Sequence, residues 1–222
     1  MAGAGVGGSG SLVTELADDG RERCPWSTGS ALYRDYHDTE WGTPLHGDDA
    51  LFERLCLEAF QSGLAWITVL RKRPAFRAAF AGFEIAKVAE FGAADRERLL
   101  ADAGIVRNRA KIDAVIANAR VARDLPVSLD ELLWSFAPAP RPRPATIADV
   151  PATTPESIAL AKELKRRGFA FVGPTTAYAL MQATGMVDDH LEVCWVRPPA
   201  NGTDSRVTFR TQVSARDGNR EE

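Results

Sequence analysis

No stretch of this 222-residue chain approaches the roughly 20 consecutive apolar residues that a bilayer span requires, which argues against a membrane protein. Cysteine is scarce, with three in all. Met1 to Ser11 is mostly Gly, Ala and Ser. It has neither a basic start nor an apolar run, so no signal peptide is expected and the location reads as cytoplasmic. Three cysteines in a reducing compartment point to thiols or metal ligands, not to a disulfide framework. Alternating β-patterns are almost missing, Val207 to Phe209 being the weak exception. A positive excess is missing too. The formal charge is −3, and residues 1–22 account for it, with Arg21 against Glu15, Asp18, Asp19 and Glu22. The neutral remainder has no general attraction for DNA, so any nucleic-acid face must be local.

Apolar residues make up 45% of the chain, enough for a sizeable core. Residues 1–22 and 198–222 are polar and read as flexible tails around one folded region, 23–197. Helical patterns fill that region. Asp48 or Asp49 can cap a helix from about Ala50 to Gly63, and Pro74 suits the first turn of another running to Phe80. Further helices are expected near Ile85–Phe91, Asp95–Ala103, Asn108–Arg123, Leu129–Phe136, Pro155–Arg167 and Thr175–Thr184. The Pro- and Arg-rich stretch Ala137 to Pro144 reads as an extended loop. The class is all-α.

Three segments carry chemistry. On the helix near Ala50, Glu58 falls at the edge of an apolar stripe with Leu51 and Leu55. It either swings to solvent or pairs with an Arg, or it forms the floor of a pocket. Gln61-Ser-Gly63-Leu64-Ala-Trp66 then ends that helix and presents a Leu and a Trp. Tyr33, Tyr36, His37, Glu40 and Trp41 share a second helical face, with Trp26 just upstream. Such a face is ordinary core, or a surface that stacks on a planar heterocycle. The third segment, Lys165-Arg-Arg-Gly168-Phe169-Ala-Phe-Val-Gly173-Pro174, is a tight turn between two helices. Its second helix N-terminus is suited to a phosphate. Basic clusters at Arg71–Arg77, Arg107–Lys111 and Lys162–Arg167 are solvated helix faces or helix ends, or a local DNA surface.

Cys24 and His37 lie near one end of the folded region, and His190 and Cys194 near the other as His-x3-Cys. These are the ligand types zinc prefers, and four of them close a tetrahedron. The spacing of the second pair suits one helical face. A single structural Zn2+ held there would clip the two ends together. Cys56 reads as plain core, and His46 as a solvated loop residue.

Together these segments resemble the DNA-3-methyladenine glycosylase I family of bacterial base-excision repair enzymes, in the helix-hairpin-helix superfamily. The matching stretches are Arg23-Cys-Pro-Trp26, Leu32-Tyr-x-x-Tyr-His-Asp-x-Glu-Trp-Gly42, Leu51-Phe-Glu-x-x-x-Leu-Glu58, Gln61-x-Gly-Leu-x-Trp-Ile-Thr-Val-Leu70, Asp102-Ala-Gly-Ile-x-Arg107, Trp134-Ser-Phe136, Lys165-x-Arg-Gly-Phe-x-Phe-Val-Gly173 and Asp189-His190. The resemblance implies a helical glycosylase domain with a zinc clip of Cys24, His37, His190 and Cys194. It implies a catalytic carboxylate at Glu58 and a base pocket of Tyr36, Trp66 and Trp26. It also implies DNA contacts from Gly63, Leu64, Lys165, Gly168, Phe169 and Gly173. The expected partner is double-stranded alkylated DNA, bound by a monomer that joins the nucleoid when on DNA. No lysine in the hairpin suits a Schiff base, so hydrolysis without a lyase step is expected. The alternatives are a zinc-clipped DNA-binding module without enzymatic activity, or a glycosylase of broader base preference. Phe60 departs from the family pattern, where some relatives have Gln, and would alter the pocket edge. Pro174 offers a phosphate one N–H fewer.

Overall fold

The computed structural model describes residues 19–197. The expected tails at 1–18 and 198–222, with the weak β-pattern at 207–209, lie outside the described residues. Residues 19–22 are exposed but tied to the domain. Asp19 accepts two hydrogen bonds from the buried Arg23, and Trp195 N–H donates to the Glu22 carbonyl at 2.9 Å.

Nine α-helices and no strand occur among the described residues: α1 (Ala31–Thr39), α2 (Asp48–Gln61), α3 (Trp66–Ala79), α4 (Ile85–Ala89), α5 (Ala93–Ala101), α6 (Arg109–Arg123), α7 (Leu129–Trp134), α8 (Pro155–Arg167) and α9 (Pro174–Ala183). Side-chain caps explain several starts. Ser30, Asn108, Ser128 and Thr154 each accept a hydrogen bond from the N–H three residues on. The stretch 137–144 is an extended loop, as expected.

Two sequence expectations need correction. Pro74 does not open a helix; it lies inside α3, which starts eight residues earlier. An interior proline costs about 3 kcal/mol, and burial of Val69, Leu70, Phe76 and Ala79 on the same helix offsets it. The acids at the start of α2 do not cap their own helix. Asp48 accepts from Asp130 N–H in the first turn of α7, and Asp49 from Ile85 N–H at the start of α4.

The core gathers around α2, which packs against α3, α4, α6, α7 and α9. Leu51, Phe52, Leu55, Cys56, Leu57 and Phe60 are fully buried there, each such side chain other than Cys56 contributing about 1.5–3 kcal/mol. The helix is therefore buried nearly all round and has no single apolar stripe. Arg54 and Glu58 are consequently buried as well, and α2 carries two ionisable groups into the middle of the domain.

Candidate active site and metal centre

One cavity of about 310 Å³ brings together residues from distant parts of the chain. Trp26 comes from the turn Pro25–Ser27, Tyr33 and Tyr36 from α1, Glu58 from α2 and Trp66 from the first turn of α3. Trp41, Gln61, Ala179, Gln182, Asp189 and the apolar pair Ile147 and Val150 complete the lining. The walls are aromatic: the Tyr36 and Trp66 rings lie 5.5 Å apart, and Trp26 sits 5.0 Å from Trp41 and 5.8 Å from Tyr33.

Glu58 is only 5% exposed and forms no ion pair or hydrogen bond with the described residues. Burial lifts its carboxyl to about 7, and the charge of Arg54 opposes that rise. Burial likewise pushes the Tyr36 phenol above its ordinary range. The Trp66 Nε1–H is buried with no partner among the described residues, which is rare for a buried donor. A site with a carboxyl and a ring N–H that no described residue engages, walled by tilted and edge-on rings, suits a flat, cationic, hydrogen-bonding ligand.

The other lining groups are already engaged. The Tyr33 hydroxyl accepts from Ile67 N–H at 2.9 Å and so caps α3. Asp189 accepts from Tyr178, Gln182 and Arg141. Phe60 points away from the cavity into a ring cluster with Phe76 and Phe80, at 4.6 and 5.9 Å. It therefore leaves the cavity's polarity unaltered.

Cys24, His37, His190 and Cys194 come together beside this cavity, all buried, with their donor atoms within 4.8 Å of one another. His37 Nε2 lies 3.2 Å from His190 Nδ1 and 3.5 Å from Cys194 Sγ, and His190 Nδ1 lies 3.5 Å from Cys194 Sγ and 3.9 Å from Cys24 Sγ. A tetrahedron with Zn–S of about 2.3 Å and Zn–N of about 2.0–2.1 Å requires donor separations of roughly 3.3–3.8 Å. The four residues fit such an ion. The outer nitrogens are held as metal-bound imidazoles require: His37 Nδ1 by Asp38 at 2.8 Å, and His190 Nε2 by the Trp41 carbonyl at 3.1 Å. A hydrogen bond from Cys24, then the two imidazoles, hold the Cys194 thiol below its ordinary range. The His-x3-Cys pair does not lie on a helix. It spans a turn closed by Cys194 N–H on the Leu191 carbonyl, 2.9 Å.

The proposed DNA contacts divide. Gly63, with φ of +80°, and the exposed Leu64 sit in the loop between α2 and α3. Lys111, expected on a solvated face, is instead buried. Its ammonium caps the end of α2 through the Phe60 and Ser62 carbonyls at 2.9 and 2.6 Å. The hairpin turn between α8 and α9 starts at Gly168, whose φ of +102° closes α8. Gly168 N–H bonds to Lys165 O and Phe169 N–H to Leu164 O. Phe169 is buried and pins the turn, whereas Phe171 is the exposed ring at its tip. Asn118 clasps the turn from α6, accepting from Ala170 N–H at 2.8 Å and donating to Ala170 O at 3.1 Å. Lys165, Gly173 and Lys162 line a second groove together with Ser62, so the hairpin and the α2–α3 loop share one face. Arg166 and Arg167 are both paired with Glu163.

Comparison with known proteins agrees on one family. The methyladenine glycosylase family profile matches residues 26–197. The chain is similar to DNA-3-methyladenine glycosylase 1 of Escherichia coli K12, at 46% identity over 80% of this chain and 97% of that protein. It is similar to the Haemophilus influenzae DNA-3-methyladenine glycosylase at 43% identity, over 78% of this chain and 96% of that one. Among solved structures it resembles 3-methyladenine DNA glycosylase I of Staphylococcus aureus, described with its basis of 3-methyladenine recognition. That match has TM-score 0.77 and 34% identity over 81% of this chain and 98% of the other.

Proposed function

The chain belongs to the methyladenine glycosylase family, and from that premise we propose that it hydrolyses the N-glycosidic bond of 3-methyladenine in alkylated double-stranded DNA. It releases the free base, leaves an abasic site and so serves base-excision repair. N3-methylation makes the purine a cation and weakens its bond to the sugar, and the base departs neutral. Protonation is therefore not the main need, and selection is. Extracting a base from the stack costs a few kcal/mol, less for a damaged one. The Tyr36, Trp66 and Trp26 walls return about 1–3 kcal/mol per stacked base.

Glu58 supplies the discrimination. Its carboxylate accepts hydrogen bonds from the exocyclic amine side of the purine, and its charge attracts the cation in a dry cavity. Each charge stabilises the other, whereas a neutral purine offers the buried carboxylate hydrogen bonds but no compensating charge. No lysine is among the residues that line the cavity, which supports hydrolysis without a Schiff base. The groove shared by Ser62, Lys162, Lys165 and Gly173 holds the duplex, with α9 presenting its first N–H groups to a phosphate and Leu64 facing the gap left by the flipped base.

Cys24, His37, His190 and Cys194 would hold one zinc ion. With four protein ligands that ion supplies a cross-link between the two ends of the domain and no site for water. No helix of the described residues is long and apolar enough to cross a membrane, in keeping with a cytoplasmic enzyme.

The observation that carries this reading is the unpaired Glu58 carboxyl enclosed by aromatic rings. Incubation with methylated duplex DNA, followed by chromatography of the released bases, tests it. Free 3-methyladenine alone is expected. A mixture with 7-methylguanine identifies a broader glycosylase, and no release with intact DNA binding identifies a binding module.

A further inference from the structure

Behind the cavity, the end of α1 shares a cluster of charge with α2 and α3, in which Arg54 is buried and Glu40 and Arg73 are partly buried. Arg54 Nη2 donates to Glu40 Oε2 at 3.0 Å, and its Nη1 lies 3.4 Å from the Tyr36 hydroxyl. Its guanidinium stands 5.4 Å from the centre of the Tyr36 ring. Arg73 takes both oxygens of the same Glu40, at 2.6 and 2.7 Å. Two guanidinium groups therefore share one carboxylate, which leaves one positive charge unmatched inside the domain. Glu58 lies one helical turn along α2 from Arg54, has no ion-pair partner among the described residues, and feels the Arg54 charge. The cluster is neutral only when Glu58 is ionised.

We infer that Arg54 is a positioning residue that keeps the Glu58 carboxyl ionised in the empty cavity, with Glu40 and Arg73 fixing it in place. This rests on the glycosylase reading of the site. Arg54 does not touch the base, because it is absent from the cavity wall; it acts through Glu58. The need is clear from Glu58 itself. With Arg54 opposing the effect of burial the carboxyl sits at about 7; without it, most molecules at neutral pH would carry a protonated, uncharged acid with no preference for a cation. Desolvation alone raises buried carboxyls by as much as 3–5 units, and a fixed cation a few ångströms away opposes it.

The other charged groups around α2 do not replace Arg54. From α1, Tyr33 is spent on Ile67, and Glu40 is held by the two arginines. From α3, Arg73 is committed to Glu40 and Arg77 to Glu53. From α6, Lys111 caps the carbonyls at the end of α2. Asp189, after α9, is neutralised by Arg141 and hydrogen-bonded by Tyr178. Asp130 of α7 faces His46, and Glu84 next to α4 pairs with the exposed Lys87.

The test follows the Glu58 side-chain carbon by NMR in 13C-glutamate-labelled protein, assigned by its loss in Glu58→Gln. It also follows 3-methyladenine release from pH 5 to 9. Arg54→Met should move the Glu58 midpoint, and the acid limb of the rate profile with it, upward by on the order of one unit. Arg54→Gln keeps hydrogen-bonding capacity without charge and should do the same, while Arg54→Lys should restore both. A Glu58 midpoint that stays put in folded Arg54→Met or Arg54→Gln overturns the inference, and so does a failure of Arg54→Lys to rescue. Should the native protein release no 3-methyladenine, the glycosylase reading falls, and the NMR titration still decides the part played by Arg54.

Discussion

Consecutive residues of α1 serve two buried polar sites that differ in one respect. Tyr36 lines the cavity, and His37 belongs to the Cys/His group. The Trp26 ring touches both, lining the cavity and lying 5.3 Å from the His37 ring. In the Cys/His group the outer ring nitrogens end on Asp38 and the Trp41 carbonyl, and Leu191 N–H donates to Cys24 Sγ at 3.4 Å. In the cavity, neither the Glu58 carboxyl nor Trp66 Nε1 has a hydrogen-bond partner among the described residues. A folded chain satisfies buried polar groups where their task is to hold the structure together. It leaves them unmet, at a cost in stability, where a ligand is to meet them.

Glu58→Gln breaks the contrast at its sharpest point. The amide keeps the shape and loses the charge, so 3-methyladenine release should fall on the order of 100-fold or more in single-turnover assays, with the fold intact by circular dichroism. Stability should move the other way. The folded carboxyl sits at about 7, above its ordinary 4.5. In between, the unfolded chain gives up a proton that the folded chain keeps. Stability from this group is therefore full below about pH 4.5 and lost as pH rises to about 7. The loss is about 3 kcal/mol. Urea unfolding at pH 5 and pH 8 should show the native protein losing that much relative to Glu58→Gln. Parallel curves for the two proteins would mean that Glu58 is solvated.

The Cys/His group should answer in the opposite sense. Cys194→Ala should abolish zinc in the purified protein by elemental analysis. It should also lower the melting temperature by roughly 6–12 °C, equivalent to about 3 kcal/mol in a domain of this size. Base release per folded molecule should change far less than in Glu58→Gln. A stable Cys194→Ala that no longer releases base would move the metal into the chemistry and dissolve the distinction between the two sites.

Both sites were legible in the sequence as residue types, though not by the same route. Thiols and imidazoles in two short pairs mark Cys24, His37, His190 and Cys194 as zinc-type ligands, whereas Glu58 and the Trp26 face stay open between core and pocket until the family resemblance singles out Glu58, Trp66 and Trp26. What was not legible depends on packing between helices far apart in sequence. The α2 pattern gave a helix but not its burial on all sides, because a central helix and an amphipathic one share the same apolar positions. Pro74 looked like a helix start because burial of its neighbours carries no local signal. His-x3-Cys fits a helix and a tight turn equally well. Ile147 and Val150 reach the cavity wall from a loop with no periodicity, and the Arg54–Glu40–Arg73 cluster joins three helices.

Lys111 and Asn118 refine the contrast, since both are fully satisfied yet hold segments assigned to DNA. Lys111→Met frees the Phe60 and Ser62 carbonyls at the end of α2. The expected cost is about 2 kcal/mol of stability, with looser placement of Gly63 and Leu64. Asn118→Ala is gentler. It leaves the Ala170 N–H and carbonyl of an exposed turn to water, which costs about 1 kcal/mol and roughly 2–4 °C of melting temperature. On the proposed division, in which the hairpin grips DNA and the cavity performs the excision, kcat/KM on duplex DNA should fall a few-fold while the saturated rate stays near native. Equal losses in both would mean that the turn shapes the cavity as well as the grip, and that satisfied groups reach the chemistry after all.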